Sequence, residues 1–316
     1  MKYTFLLPAY KAKFLKETLN CIRQQTYTDF QVIISDDCSP DNLSQIVEPY
    51  LLDPRFKYRR NEVNIGGENL VLHWNLLMNS CKSDFLIMAS DDDLYEPTFL
   101  EKIDALTTKY PKVDLFHARA CHIDEDSEVT MVDACYPEYA SQLEYLSFCG
   151  LLNHVECIAN YVYRTDKLKE IGGFVNFPYA WGSDTWTNNL MAANGCASTI
   201  DILFSFRMSG INISSKSKVS GKMAKGKLKS AMQQYSYMEN LFNSLPTSES
   251  KLYTHQYNLA KKVQIECINL TTYFYSGILN FSDLLKLIRF MKKNGYITTR
   301  YEIYKYLSKW LYCKIK

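Results

Sequence analysis

Residues 84–93 read DFLIMASDDD, an apolar run that stops abruptly on Asp91, Asp92 and Asp93. Such a run, too short for a helix and without polar alternation, is expected of a strand buried on both faces. Residues 30–37, FQVIISDD, repeat the design: Val32, Ile33 and Ile34 are β-branched, and the segment ends on Asp36 and Asp37. Tyr3–Leu7 supplies a first strand and Phe56–Arg60 a short one. Helical patterns separate them, running to about Gln25, over Leu43–Leu52, and from Gly66 to Cys81. Strands alternating with helices predict an α/β fold, a mixed and mostly parallel sheet flanked by helices.

Further along, Pro97 is expected in the first turn of a helix, and Val113–His117 as a strand. His122–Val132 reads as a hairpin or excursion, and Val155–Tyr163 as strand again. Thr165–Ile171 reads as a short helix closed by Gly172-Gly173. Asp184–Asn194 is a helix ending at Gly195, and Thr199–Phe206 the last strand. Beyond Lys216 no strand pattern persists. The reading is a catalytic body over 1–215 and a C-terminal helical extension over 216–316, three or four helices entered through a Ser- and Lys-rich linker at about 216–229.

Charge divides at the same place. Of the 36 Lys+Arg and 34 Asp+Glu, the extension holds 18 and 5, leaving the body acidic. An acidic body that handles an anionic ligand needs a cation, and a basic extension suits an anionic surface or is a solvated face. Ten cysteines without a CxxC pair fit reduced thiols in the cytoplasm. Met1–Tyr10 reads better as a strand than as a leader, and no apolar run reaches transmembrane length.

In open α/β sheets, ligands bind at the carboxyl ends of strands. Three adjacent carboxylates there favour a hard divalent ion, Mn²⁺ or Mg²⁺, shared with ligand phosphates; otherwise one caps the next helix and the rest are solvated. Pro8-Ala9-Tyr10, Asp36-Asp37-Cys38-Ser39-Pro40-Asp41, Asn64-Ile65-Gly66, Ser90-Asp91-Asp92-Asp93, Gly172-Gly173-Phe174 and Trp181-Gly182-Ser183-Asp184 occur in that order. The succession, over roughly residues 1–215, resembles the family 2 glycosyltransferases of GT-A fold.

That resemblance implies an inverting enzyme that uses a nucleotide sugar, by default a UDP-sugar. It implies that Pro8, Ala9 and Tyr10 line the nucleobase pocket, with Asp37 or Asp36 bonded to the base and Asn64 and Gly66 completing the nucleotide site. Asp92 is then the first metal ligand, Asp91 meets ribose or metal, and Asp93 orients metal-bound water or caps the helix. Asp184 is the catalytic base. Gly172, Gly173, Phe174, Trp181 and Arg207 belong to the donor and acceptor loops, with Arg207 reaching the diphosphate or pairing at the surface. The chain departs from the family at Ser90, commonly acidic, at Lys11, often Asn, at Ser183, often Glu, and in lacking an arginine over Gly66–Met78. Lys11 or His73 is the substitute cation.

No QxxRW sequence is present, so one sugar per encounter is expected, on a glycan or lipid-linked glycan in surface polysaccharide synthesis. Lys286, Arg289, Lys292 and Lys293, interleaved with Leu285, Leu287, Ile288 and Phe290, and the stripe Ile303, Tyr304, Leu307, Trp310 and Leu311 either lie on anionic lipid at the inner membrane face or pack on the body or in a homodimer. Rival readings are a sugar-nucleotide-forming nucleotidyltransferase, which wants a Gly-rich loop after the first strand, and a non-catalytic carbohydrate-binding or assembly protein. No recognised nucleic-acid motif occurs.

Overall fold

A computed structural model describes residues 1–151, 157–210, 221–245, 251, 254–297 and 299–315. Its strands are β1 (Tyr3–Ala9), β2 (Phe30–Asp36), β3 (Phe56–Arg60), β4 (Phe85–Met88), β5 (Leu94–Tyr95), β6 (Leu115–Ile123), β7 (Val129–Val132), β8 (Tyr139–Ala140), β9 (Tyr161–Arg164) and β10 (Cys196–Arg207). They form one sheet in the order β3-β2-β1-β4-β9-β6-β10-β5, with β7 on β6 and β8 on β10. The pairs β1–β2, β2–β3, β1–β4 and β6–β10 are parallel, and β9 runs antiparallel to β4 and β6. The expected mixed, mostly parallel α/β fold is found.

The centre of the sheet is buried on both faces, as its sequence requires: Tyr3, Phe5, Leu6 and Leu7 of β1 are fully covered. Helix α1 (Leu15–Arg23) buries Leu15, Thr18, Leu19 and Ile22, spaced so as to fall on one face. Helices α2 (Leu43–Val47), α3 (Ile65–Ser80), α4 (Phe99–Lys109), α5 (Gln142–Leu151), α6 (Thr165–Glu170) and α7 (Ser183–Met191) complete the described helices of the first 210 residues.

Several boundaries differ from the sequence reading. Pro97 precedes α4 rather than sitting in its first turn, because Thr98 is the N-cap. The helix over 43–52 stops at Val47 and tightens into a 3₁₀ turn at Glu48–Tyr50, where Pro49 lacks the N–H that would continue it. The excursion over 122–132 is a hairpin of β6 and β7. Val155–Tyr163 is strand only from Tyr161, and residues 152–156 lie outside the described ones. β10 begins at Cys196, three residues early, since it pairs in parallel along β6 with a break in register between Ser198 and Ile202.

The chain forms two compact units, Met1–Asn176 with Ser183–Ser215, and Phe177–Gly182 with Lys216–Lys316. In the second, α8 (Gly221–Ser244), α9 (Thr254–Ser276), α10 (Phe281–Lys293) and α11 (Arg300–Ile315) are helical. Residues 221–229, read as linker, are the first turns of α8: Ala224, Lys227, Leu228 and Ala231 are buried at helical spacing. Residues 216–220 lie outside the described ones. Tyr235 stacks on Tyr296 with centroids 3.6 Å apart, and the Trp310 indole N–H bonds the Leu279 carbonyl. Helix α10 buries Leu284, Leu287, Ile288 and Met291 in its own unit, whereas Tyr304 and Leu311 of α11 are exposed. No described helix is long and apolar enough to cross a membrane.

One glycine tests the sheet's edge. Gly195 links the turn after α7 to β10 with φ 87° and ψ 178°, a region reserved for glycine, and a Cβ there would stand 2.6 Å from the Ala140 carbonyl oxygen of β8. Gly195→Ala is expected to cost about 1–3 kcal/mol in urea unfolding. An unchanged midpoint would mean that β8 does not hold against β10.

Candidate active site

Strand β1 has β2 on one side and β4 on the other, both parallel, so the crossovers diverge there and leave a crevice at the carboxyl ends. Register brings those ends level: Ala9 pairs with Asp36, and Leu6 with Met88. Tyr10-Lys11, Asp37 and Ser90–Asp93 therefore leave the sheet together.

The two Asp stations after β2 are built into the scaffold. Asp36 Oδ2 accepts from Tyr58 Oη at 2.6 Å and Arg60 Nη1 at 2.5 Å, and Oδ1 from the Ser39 N–H at 2.8 Å. Arg60 faces Asp36 because the two are register partners on β2 and β3. Asp37 anchors the start of α3: Oδ1 accepts from Asn61 Nδ2 and the Ile65 N–H, and Oδ2 from the Gly66 N–H at 2.6 Å. Negative charge at a helix N-terminus meets both free N–H groups and the dipole. Asn64 is the N-cap of α3, accepting from the Gly67 N–H, and Gly66 leaves room for Asp37 Oδ2, which a Cβ would approach to 2.8 Å. His73 is buried against Ser35 and Asn61, and burial outweighs the pull of Asp37 in holding its pKa below the ordinary value.

The triplet after β4 has three fates. Asp91 Oδ2 accepts the main-chain N–H groups of Tyr10 (2.8 Å) and Lys11 (2.7 Å), and its Oδ1 lies 3.0 Å from Lys11 Nζ. Asp92 Oδ2 meets the same ammonium at 2.5 Å. Asp93 turns the other way, to the Ser90 hydroxyl and the Arg207 N–H. Burial raises the pKa of Asp91, opposed by Lys11; burial and then Asp92 push Asp93 to about 7. Lys11 is held above its ordinary value because Asp91 and Asp92 overcome its own desolvation. Asp91 Oδ1 and Asp92 Oδ2 thus converge on one cation, a fit for a divalent ion from two carboxylates. Asp93 does not join them, and no cluster of three or more His, Cys, Asp and Glu suited to a metal occurs among the described residues.

Asp184 lies in the first turn of α7, half-buried, with Oδ1 accepting the Thr185 N–H. Sequence reasoning missed the residue that relates it to the triplet. Cys157, ahead of β9, has a thiol held well above its usual range by burial and then by the charges of Asp93, Asp184 and Asp92. Carboxylates from α7 and from the loop after β4 therefore both act electrostatically on one thiol.

The other expected positions lie as follows. Arg207 is neither on a loop nor at the surface. It ends β10 fully buried, with Nε on the Asp92 carbonyl at 2.9 Å, Nη2 on Glu17 at 2.7 Å and the guanidinium 4.2 Å over Phe14. Phe174 is buried against Trp74 and Tyr163, and its main chain is gripped by the Asn75 amide at both N–H and C=O. Gly172 and Gly173 take φ of 91° and 88°, and Gly173 lies against Asn75 and Met78. Trp181 belongs to the second unit, its ring 3.8 Å under Lys227 Nζ and its carbonyl accepting from Ser230 and Gln234. Pro8 and Ala9 end β1, and Tyr10 is exposed.

The family model described as glycosyl transferase family 2 matches residues 4–172, more than half of the chain. The chain belongs to that family. The poly(ribitol-phosphate) beta-N-acetylglucosaminyltransferase TarS of Staphylococcus aureus is 32% identical over 96 residues, 29% of this chain and 16% of that relative. An uncharacterized glycosyltransferase of Haemophilus influenzae is 26% identical over 172 residues, 54% of this chain and 55% of that relative. The curated relatives thus match over only part of their own length. Among solved structures, S. aureus TarS 1–349 with UDP-GlcNAc superposes with TM-score 0.60 at 17% identity, covering 98% of this chain and 89% of that one. The mannosyltransferase PcManGT of Pyrobaculum calidifontis, with GDP-Man and Mn²⁺, gives 0.55 at 12%, covering 100% and 86%. At these identities the superpositions speak for the fold alone, and membership of the family rests on the match over residues 4–172.

Asp93 gives a test. Its unfolded carboxyl ionises near the model-peptide value of 3.8, while the folded one keeps its proton to about pH 7. Across that window the unfolded state binds fewer protons, so the folded state loses stability as pH rises, and the loss is complete above about 7. Asp93→Asn, which mimics the protonated acid, is expected to gain on the wild type between pH 4 and 7, on the order of 3 kcal/mol in thermal unfolding. A stability difference that does not change with pH would show that Asp93 is ionised throughout.

Proposed function

We propose that the protein moves one sugar from a nucleoside-diphosphate sugar, a UDP-sugar by first choice, to a hydroxyl of a glycan or lipid-linked glycan, with inversion, in surface polysaccharide synthesis. The reading rests on Asp91 and Asp92 converging on one cation at the carboxyl ends of the parallel strands, with Asp184 and Asp92 both acting electrostatically on the Cys157 thiol. Inverting transfer needs those two services in one place: a cation beneath the leaving diphosphate and a base at the attacking hydroxyl.

Tyr10, exposed at the end of β1, offers a ring face to the nucleobase, with Pro8 and Ala9 behind it. Asp37 is preferred over Asp36 for the base contact, since Asp36 is fully covered and Asp37, though buried, keeps 4% exposure. Asp92 and Asp91 would hold the divalent ion, which when bound supplies positive charge against that developing on the leaving diphosphate. Asp184 takes the acceptor's proton as its oxygen attacks the anomeric carbon, proton transfer and bond formation running in concert.

Support for UDP comes from the neighbour solved with UDP-GlcNAc, whereas the mannosyltransferase neighbour holds GDP-Man, so the base is the less secured half of the donor. The poly(ribitol phosphate) acceptor in the Staphylococcus relative's name is a polyanion. A polymer of that chemistry suits the basic surface of residues 216–316, with 18 Lys+Arg against 5 Asp+Glu.

Asp184→Asn is expected to lower turnover by about 10²–10⁴-fold, with nucleotide affinity nearly unchanged. The assay is diphosphate release across a panel of nucleotide sugars with candidate acceptors, with Mn²⁺ and with chelator. Full turnover in the variant would remove Asp184 as the base, and release from no donor would remove the reading altogether.

A further inference from the structure

The cation position at Asp91 and Asp92 is taken by a side chain of the protein itself. Lys11 Nζ lies 3.0 Å from Asp91 Oδ1 and 2.5 Å from Asp92 Oδ2, against two carboxylates that are almost wholly buried. A divalent ion shared by those oxygens would have to stand where the ammonium stands, and two cations cannot share so small a space in a poorly screened setting. We propose that Lys11 is a built-in counter-ion, holding this position in the donor-free protein and displaced when diphosphate and divalent ion enter together. The inference rests on the donor reading given above.

Three features make displacement practicable. The Lys11 main chain is pinned separately, by its own N–H and that of Tyr10 on Asp91 Oδ2, so the side chain can swing without loosening the loop. The side chain keeps a quarter of its surface exposed (27%), while those of Asp91 and Asp92 keep 5% each, so the ammonium has somewhere to go and the carboxylates do not. Two arginines at these strand ends are committed elsewhere, Arg60 to Asp36, and Arg207 to main-chain carbonyls and Glu17. Helix α3 contains no Lys or Arg. An ammonium leaving Asp92 for the entering diphosphate exchanges one anion for another and keeps its charge-assisted bonds. Metal and nucleotide then bind cooperatively, because each removes the obstacle to the other.

Mn²⁺ binding to the full chain, followed by the electron paramagnetic resonance signal of the free ion with and without UDP, tests this apart from catalysis. In the wild type, binding without nucleotide is expected to be weak and to tighten with UDP. Lys11→Met should bind Mn²⁺ at least about tenfold tighter than the wild type without nucleotide, since two buried carboxylates lose the ammonium that competes for them. UDP should then tighten it by a smaller factor. Lys11→Arg, which keeps the charge, should stay as weak as the wild type, and Lys11→Gln carries the expectation for Lys11→Met if that variant does not fold. Equal or weaker Mn²⁺ binding in Lys11→Met, with UDP-dependent binding intact in the wild type, overturns the counter-ion role and leaves the donor reading standing. No Mn²⁺ binding to any form, even with UDP, overturns both.

Discussion

Three consecutive carboxylates at the end of a buried strand are the constraint around which this crevice is built. Taking even one of them out of water without compensation is costly, and breaking a buried ion pair by deleting one partner typically costs about 3–5 kcal/mol. The chain answers each Asp differently. Asp91 receives two main-chain N–H groups and an ammonium, Asp92 shares that ammonium, and Asp93 keeps its proton to about pH 7 beside Ser90 and the Arg207 N–H. The same bonds tie the loop after β1 to the loop after β4, and through Arg207 to the end of β10. The charge that a ligand site needs is therefore also what holds its walls together.

The opposite wall obeys the same logic with different donors. Asp36 is closed by a cross-strand arginine and a tyrosine, Asp37 by the open end of a helix. Because Asp37 bonds N–H groups that α3 must satisfy somehow, its charge and the helix stabilise each other. Aromatic packing of Phe174 on Trp74 and Tyr163, with the Asn75 clamp, then fixes the other side of α3. What remains toward solvent is Tyr10, the flexible end of Lys11 and the half-buried Asp184.

Much of this was legible in the sequence where the cause is local. Apolar runs ended by Asp located β2, β4 and the acidic stations, and Asn64-Ile65-Gly66 located the start of α3. What the sequence hid were partnerships set by register and topology. Arg60 stands on Asp36 because β2 and β3 pair in parallel, and Arg207 is buried because β10 runs along β6, where the turn after β6 and Glu17 of α1 close on its guanidinium. Cys157 drew no notice because a lone cysteine carries no spacing signal. The Lys-rich start of α8 passed for a linker, although Lys and Ala are good helix formers and the stems of buried lysines pack as hydrocarbon.

The departures from the family pattern are coherent once the crevice is seen as a balance of buried charge. The family commonly has an acid where this chain has Ser90; here the hydroxyl donates to Asp93, where a further carboxylate would add repulsion to a cluster served by one ammonium. The family often has Asn where this chain has Lys11, which supplies that ammonium. One negative charge fewer and one positive charge more bring the donor-free crevice closer to neutrality. The missing arginine of α3 fits the same account, because Lys11 already places a cation at the carboxyl ends of these strands. These three positions are best understood as one electrostatic solution, so changing any one of them alone disturbs the other two.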